Sequence, residues 1–369
     1  MKKIISIIVV LQFSLFLNFC SDPLSPADEH LQKLWSIPLS ESSGSGFATL
    51  NNYLIFKTSI RPGGELYKVS KDGKSVQRAV TGGCTDGIPI TRDNIIYTNN
   101  CDDLHALRAD DLSVVWKRSG FTWIPIPAVD DIYVYVTDQD KVYALEKTTG
   151  NTIWSTQIFG KNDANPVIDG DTLYFATGVD FFKDGFLYSI NKLTGEIFYQ
   201  VLIRYIEENS QKGGSVAGVT IWNDFLFVSS TNRIFYCFKK STGEQIWAYT
   251  ADAPIEVTPK VSEGKVYFGT LNTTCYALDA YTGNYIWSFQ TGGSIQHEPW
   301  FYRNYVMFIE MGDVLILDKN SGKKLLSLFD YGDIEYGYIN AFWDTDGKIY
   351  GSGFGESDQK PLLIAFQFR

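Results

Sequence analysis

Three observations predict an all-β fold built from one repeated, four-stranded unit. Aromatic residues make up 15% of the 369 positions and charged residues only 20%, with 32 glycines. That balance favours strands and tight turns over long helices, and it supplies too many core-forming side chains for a disordered chain. An apolar stretch, a Thr-Gly or Ser-Gly turn and a Trp-bearing stretch recur along the chain, and prolines recur in a second register. The net charge of −10 lacks the basic footprint that nucleic acid requires, so no nucleic-acid partner is expected.

In chain order, Lys2 and Lys3 precede an apolar run from Ile4 to Phe19. A basic start and a short apolar core read as a secretory signal over residues 1–19; the run is shorter than the ~20 residues of a membrane span. Leu17-Asn18-Phe19-Cys20 resembles a bacterial lipobox, with Phe19 bulky where a small residue is usual. The resemblance implies lipidation of Cys20. Residues 20–33, carrying Asp22, Asp28, Glu29, Pro23 and Pro26, read as a solvated tether, and residues 34–369 as the folded domain.

Within that domain the repeat is clearest at Tyr143-Ala144-Leu145…Thr149-Gly150…Trp154, Phe238…Thr242-Gly243…Trp247 and Tyr276-Ala277-Leu278…Thr282-Gly283…Trp287. Weaker copies lie at Leu107…Trp116, where Leu112 replaces the glycine, at Ile190…Gly195…Tyr199, at Leu317…Gly322…Leu326 and at Val69…Gly73. The apolar anchors Val69, Leu107, Leu145, Ile190, Phe238, Leu278, Leu317 and Phe366 stand 38 to 49 residues apart, a spacing that fits four short strands per unit. Glycine suits the left-handed position of the turn, and the Trp is expected to lie flat on the neighbouring unit.

Pro89, Pro127, Pro166, Pro259 and Pro299 are each followed, eight residues on, by Tyr97, Tyr135, Tyr174, Tyr267 or Met307. Proline cannot donate to a sheet ladder and is best accepted by an edge strand, here the innermost strand lining a channel. The chain ends on an anchor stretch, Leu362 to Phe368, and its domain begins on a Trp stretch with no anchor, Leu34-Trp35-Ser36-Ile37-Pro38. Joining the two closes a ring of eight blades and removes the open sheet edge. The predicted fold is thus an eight-bladed β-propeller closed by the Trp35 strand.

The pattern Tyr-Ala-Leu-Asp-x-x-Thr-Gly-x-x-x-Trp, which spans essentially all of residues 34–369, resembles the PQQ-like propeller repeat. Two branches of that superfamily set two expectations. One is non-enzymatic envelope lipoproteins of the BamB type. The other is quinoprotein dehydrogenases, which hold pyrroloquinoline quinone and calcium. The resemblance to the dehydrogenases implies an adjacent cysteine pair and a catalytic Asp with Glu and Asn calcium ligands. The cysteines here are at 20, 84, 101, 237 and 275, none adjacent, and no stretch matches the ligand motifs. His30, His105 and His297 have no metal-ligand spacing, and no nucleophile elbow or phosphate-binding glycine loop appears. No catalytic residue is assigned.

The loops that cross from one unit to the next share one face with the hairpins between second and third strands; the Thr-Gly turns lie on the other. Three residues before the aligned prolines stand Asp86, Ile124, Asp163, Glu256 and Gln296. With His297, Glu298, Glu335 and Trp123 they are expected to form an acidic, aromatic-edged channel mouth, suited to a cation, a small ligand or a basic peptide. Glu207 and Glu208 in the longest crossover, the Phe181-Phe182 hairpin, Tyr336 and Tyr338 lie on the same face. Cys84 and Cys101 fall in neighbouring loops of that face and are expected to pair outside the cytoplasm. Cys237 and Cys275, in successive third strands, read as buried free thiols. The expectation for the whole is a non-catalytic, lipid-anchored envelope scaffold without a cofactor, facing the periplasm or the cell surface and binding envelope proteins such as an outer-membrane assembly complex. The alternatives are a quinone- or metal-dependent oxidoreductase and a small-ligand receptor at the mouth.

Overall fold

The eight-residue offset after each proline is the length of a hairpin. The residue following the proline pairs across it: Ile90 with Tyr97, Ala128 with Tyr135, Val167 with Tyr174, Lys260 with Tyr267 and Trp300 with Met307. The prolines stand just ahead of these inner strands, where no ladder donor is needed. Asp93-Asn94 and Glu263-Gly264 close two of the hairpins with both central residues at positive φ, the turn whose twist matches the flanking strands.

The structure, a computed structural model, describes residues 31–40, 46–58, 64–82, 87–100, 102–122, 124–161, 164–179, 183–204, 216–310, 313–328, 336–354 and 360–368. They form eight four-stranded antiparallel sheets. Blades I to VIII occupy residues 48–80, 90–119, 128–157, 167–203, 216–250, 260–290, 300–327 and 336–368 and make the ring that the repeat predicts. Second and third strands are buried on both faces, whereas outer strands alternate towards solvent, as in blade III. The strand Leu31–Pro38 is the outer strand of blade VIII, antiparallel to Pro361–Phe368. The Trp35 strand therefore closes the ring, but it begins at Leu31 rather than at residue 34. Leu31 is buried opposite Phe368, which draws the end of the expected tether into the sheet.

The turn glycine and the Trp of the preceding blade form one joint. Gly150, Gly195, Gly283 and Gly322 have φ between +68° and +77°, and a Cβ on any of them would come within 2.6–2.7 Å of the ring of Trp116, Trp154, Trp247 or Trp287 respectively. Glycine is required there twice, for the turn and for the seat of the indole. A one-residue register shift between third and outer strand recurs beside each of these turns in blades III to VII, the bulge that re-aims a strand's side chains. The indole N–H of Trp116, Trp154 and Trp287 then donates to the carbonyl of Lys147, Lys192 and Lys319 in the next blade, at 2.9, 3.1 and 2.9 Å. Trp35 does the same with Lys71, and the Tyr199 hydroxyl with Lys240.

These lysines stand two residues past their anchors, and each ammonium pairs with a carboxylate in the first hairpin of the preceding blade. Lys71 meets Asp344 at 2.8 Å, Lys192 meets Asp130 at 2.9 Å and Lys319 meets Glu263 at 2.7 Å. Lys147 pairs with Asp93 and Lys240 with Asp169. The Thr-Gly face thus carries a discontinuous ring of inter-blade ion pairs.

The joint between blades I and II is built differently. The outer strand of blade I, Val76–Val80, has no aromatic residue. The Lys68 ammonium takes over the indole's hydrogen bond, donating to the carbonyl of Ala109 at 2.5 Å and lying 4.4 Å from the Tyr53 ring centroid. Leu112 holds the glycine position at φ 61°, and its buried side chain fills the space with Ile55, Leu66, Ile96 and Leu107.

Candidate functional site

The inner strands enclose a channel of about 800 Å³. Ile88, Ile90, Ile126, Val167, Val219 and Trp300 contribute to its wall, and the residues of three ion pairs between neighbouring blades line it. Arg92 pairs with Asp131, Lys192 with Asp130 at 2.9 Å, and Lys260 with Glu298 at 3.0 Å. The Lys260 ammonium also lies 5.6 Å from the centroid of Trp300, whose ring meets Phe342 edge to face at 4.7 Å. Trp300 and Lys260 both directly follow aligned prolines, so the signal that placed the inner strands could have flagged them as channel residues.

Asp130 is the most committed carboxylate. Its Oδ1 accepts the backbone N–H groups of Ile132 and Tyr133 at 2.8 Å, and its Oδ2 accepts the Tyr135 hydroxyl at 3.1 Å. Burial pulls its pKa up, but the Tyr133 N–H, the Lys192 ammonium and the Ile132 N–H outweigh that and hold it below the usual carboxylate range. It is a turn and joint anchor that stays ionised.

Of the residues expected at the acidic mouth, the structure brings Glu298 into the channel beside Lys260 and places Glu256 and Gln296 at the surface. His297 is half-buried. Ile124, at the position equivalent to Glu256 and Gln296, is 1% exposed. It packs with Phe121 and Val134, so this crossover sends an apolar side chain inward where the others face solvent. Asp86, Trp123, Asp163 and Glu335 lie outside the described residues, as do Cys20, Cys84, Cys101, Phe181, Phe182, Glu207 and Glu208. The strand Tyr336–Trp343 is described, but not the side chains of Tyr336 and Tyr338. Cys237 and Cys275 are buried and unpaired, and burial pushes the Cys237 thiol up to about 12.

A calcium ion takes six to eight oxygen ligands, usually including several carboxylates. In the described channel Asp130, Asp131 and Glu298 are each engaged by a cation. Among the described residues no group of three His, Cys, Asp or Glu side chains could hold a metal ion. The described channel does not fit a calcium-bound quinone.

A family model described as outer membrane protein assembly factor BamB matches residues 100–210 and 184–329, more than half of the chain. The chain belongs to that family. Among curated relatives, BamB of Moranella endobia is 23% identical over 206 residues, 53% of this chain and 48% of that protein. The chain is also similar to part of 1-butanol dehydrogenase (quinone) of Thauera butanivorans, 26% identical over 142 residues, 36% of this chain and 21% of the enzyme. The chain spans about half the length or less of these relatives. Among solved structures, BamB from Moraxella catarrhalis superposes with a TM-score of 0.69 at 15% identity, covering 92% of this chain and all of that one. A europium-containing methanol dehydrogenase reaches 0.68 at 12% identity, covering 91% and 93%. Fold likeness therefore does not separate scaffold from enzyme.

Proposed function

We propose that this chain is a non-catalytic scaffold of the bacterial cell envelope, anchored through a lipid on Cys20, that holds protein partners on its loop faces and blade edges and serves outer-membrane protein assembly. The observation that carries the reading is the family match, whose two overlapping stretches together cover residues 100 to 329; the curated quinone dehydrogenases share only about a fifth of their length with the chain. The channel chemistry supports it, since the described carboxylates that a bound cation would need are already neutralised by lysine and arginine.

Affinity capture of the tagged, full-length protein from intact envelopes tests the reading. Recovery of an outer-membrane barrel or its assembly machinery is the expected result. Dye-linked alcohol oxidation by the purified protein, with a quinone seen by absorbance and mass spectrometry, would replace scaffold by oxidoreductase. Cys20→Ala is expected to move the protein from the membrane to the soluble fraction. A second reading, a cation or small ligand at the channel mouth, draws on the exposure of Glu256 and Gln296. Calcium calorimetry with Glu256→Gln tests it: unchanged binding would remove Glu256 from any such site.

A further inference from the structure

We infer that the outer strand of blade IV, Ile197–Ile203, is a docking edge for an extended, neutral or basic strand of a different protein. The inference rests on the scaffold reading and names the partner's chemistry. In the sheet order this strand lies at the end of blade IV, and among the described residues it is hydrogen-bonded only on its inner side, to Lys183–Asn191. Its outer side therefore presents a row of backbone N–H and C=O groups, the template for strand addition.

Every propeller blade has such an edge, so the side chains decide. Most of the other outer strands are guarded by charge: Arg78 in blade I, Lys117 and Arg118 in blade II, Lys324 in blade VII and Lys33 in blade VIII. Those of blades III and VI carry Thr, Ser or Gln at most exposed positions, and that of blade V at two of its four. The blade IV strand reads Ile-Phe-Tyr-Gln-Val-Leu-Ile, with Gln200 its single polar residue. Phe198 is 52% exposed and Leu202 42% exposed. Leu202 stands opposite half-buried Phe186 on one face of the sheet. Phe186 in turn lies 6.2 Å from the ring of Phe159, which is 68% exposed. An apolar stripe thus climbs the flank of blade IV beside an unguarded edge. A strand added there buries alternate side chains against that stripe while its main chain completes the ladder.

Two observations select the occupant. A pairing seven residues long buries far less than the ~1,600 Å² of a stable protein interface, which fits a peptide-like segment better than a self-sufficient dimer contact. A second copy would also bring another −10 of charge against the first, which disfavours self-association. The fitting partner is a neutral or basic chain with alternating apolar residues and no proline across the paired stretch.

Hydrogen exchange read by mass spectrometry on the full chain, with an excess of a capped Lys-Val-Thr-Val-Thr-Val-Lys peptide, tests this. Amides in 197–203 are expected to exchange about tenfold more slowly with the peptide present, while those in 245–250 and 285–290 stay unchanged. The same peptide with a central proline should give no protection. The double variant Phe198→Lys/Leu202→Lys should lose the effect while melting at the parent temperature; Leu202→Lys alone is the milder variant should the pair disturb the blade. No slowing at 197–203, equal slowing in every outer strand, or a dimer that the lysine variants dissociate would each overturn the proposal. If envelope capture succeeds equally with parent and double variant, the scaffold reading stands and this edge is not its contact.

Discussion

At the joint between blades VI and VII, Trp287 lies on Gly322, donates its N–H to Lys319 and joins the largest buried cluster, with Phe268, Tyr276 and Leu317. At the joint between blades I and II the same position holds a lysine hydrogen bond and a leucine in a left-handed turn. Above that layer the contrast deepens. Lys57, fully buried, donates to the carbonyl of Asn99 in the next blade. His105 is 7% exposed, and neither ring nitrogen finds a hydrogen-bond partner among the described residues; the same holds for the hydroxyl of its cross-strand neighbour Thr98. One joint is sealed by aromatic burial and the other carries ionisable groups through it. A ring needs every joint closed, so its response to stress is set by the more polar one.

Trp287→Ala breaks the first joint and carries the largest expected effect. Truncating a buried tryptophan costs about 3–5 kcal/mol, to be read from urea unfolding; a loss of less than about 1 kcal/mol would mean that the indole is not the seal. Leu112→Gly converts the second joint towards the consensus turn. It relieves about 1 kcal/mol of left-handed strain but empties a buried leucine site worth about 2–5 kcal/mol, so net destabilisation is expected. Stabilisation would show that the leucine is strained rather than sealing.

The pH response separates the joints next. Burial, reinforced by Lys117 and opposed by Asp103, holds the His105 imidazole below its ordinary value, with Lys57 adding to the depression. The unfolded chain therefore takes up that proton first as pH falls past about 6.5, and stability declines from there downward, by at most ~1.4 kcal/mol per pH unit. Lys57, which burial brings down to about 8, acts at the other end: stability rises as pH climbs from there towards ~10.4. Comparing urea midpoints at about pH 7 and about pH 5, His105→Gln should lose less stability than the parent. Equal losses would remove His105 from the response. The smallest effect is expected of Glu263→Gln at the aromatic joint. Its carboxylate is 61% exposed, and such pairs are worth about 0–1 kcal/mol.

The blades were legible because their signals are local. A proline fixes the start of a hairpin whose pairing follows within eight residues, and a turn glycine announces the strand on either side. Contacts between blades were legible only where the repeat carried them. The ring of lysines was written at Lys71, Lys147, Lys192, Lys240 and Lys319, two residues past each anchor, but its meaning depends on carboxylates 54 to 71 residues away, or at the other end of the chain for Asp344. Lys68 standing in for an indole could not be read from a pattern that it departs from. At the mouth, counting back from proline misplaced Ile124, because a loop keeps no register and burial is decided by what lies beneath it.

The strand that closes the ring has a consequence in time. Residues 31–38 are among the first of the domain to be made, and their partner, residues 361–368, is the last. Seven blades can form on local contacts as the chain emerges, yet the ring stays open until its final strand arrives. Contacts of such sequence separation are slow to form, so the newborn molecule passes through an arc with an unpaired strand at its leading end. A chain cut short by a single strand would remain that arc, with Trp35 and its neighbours left waiting at an edge.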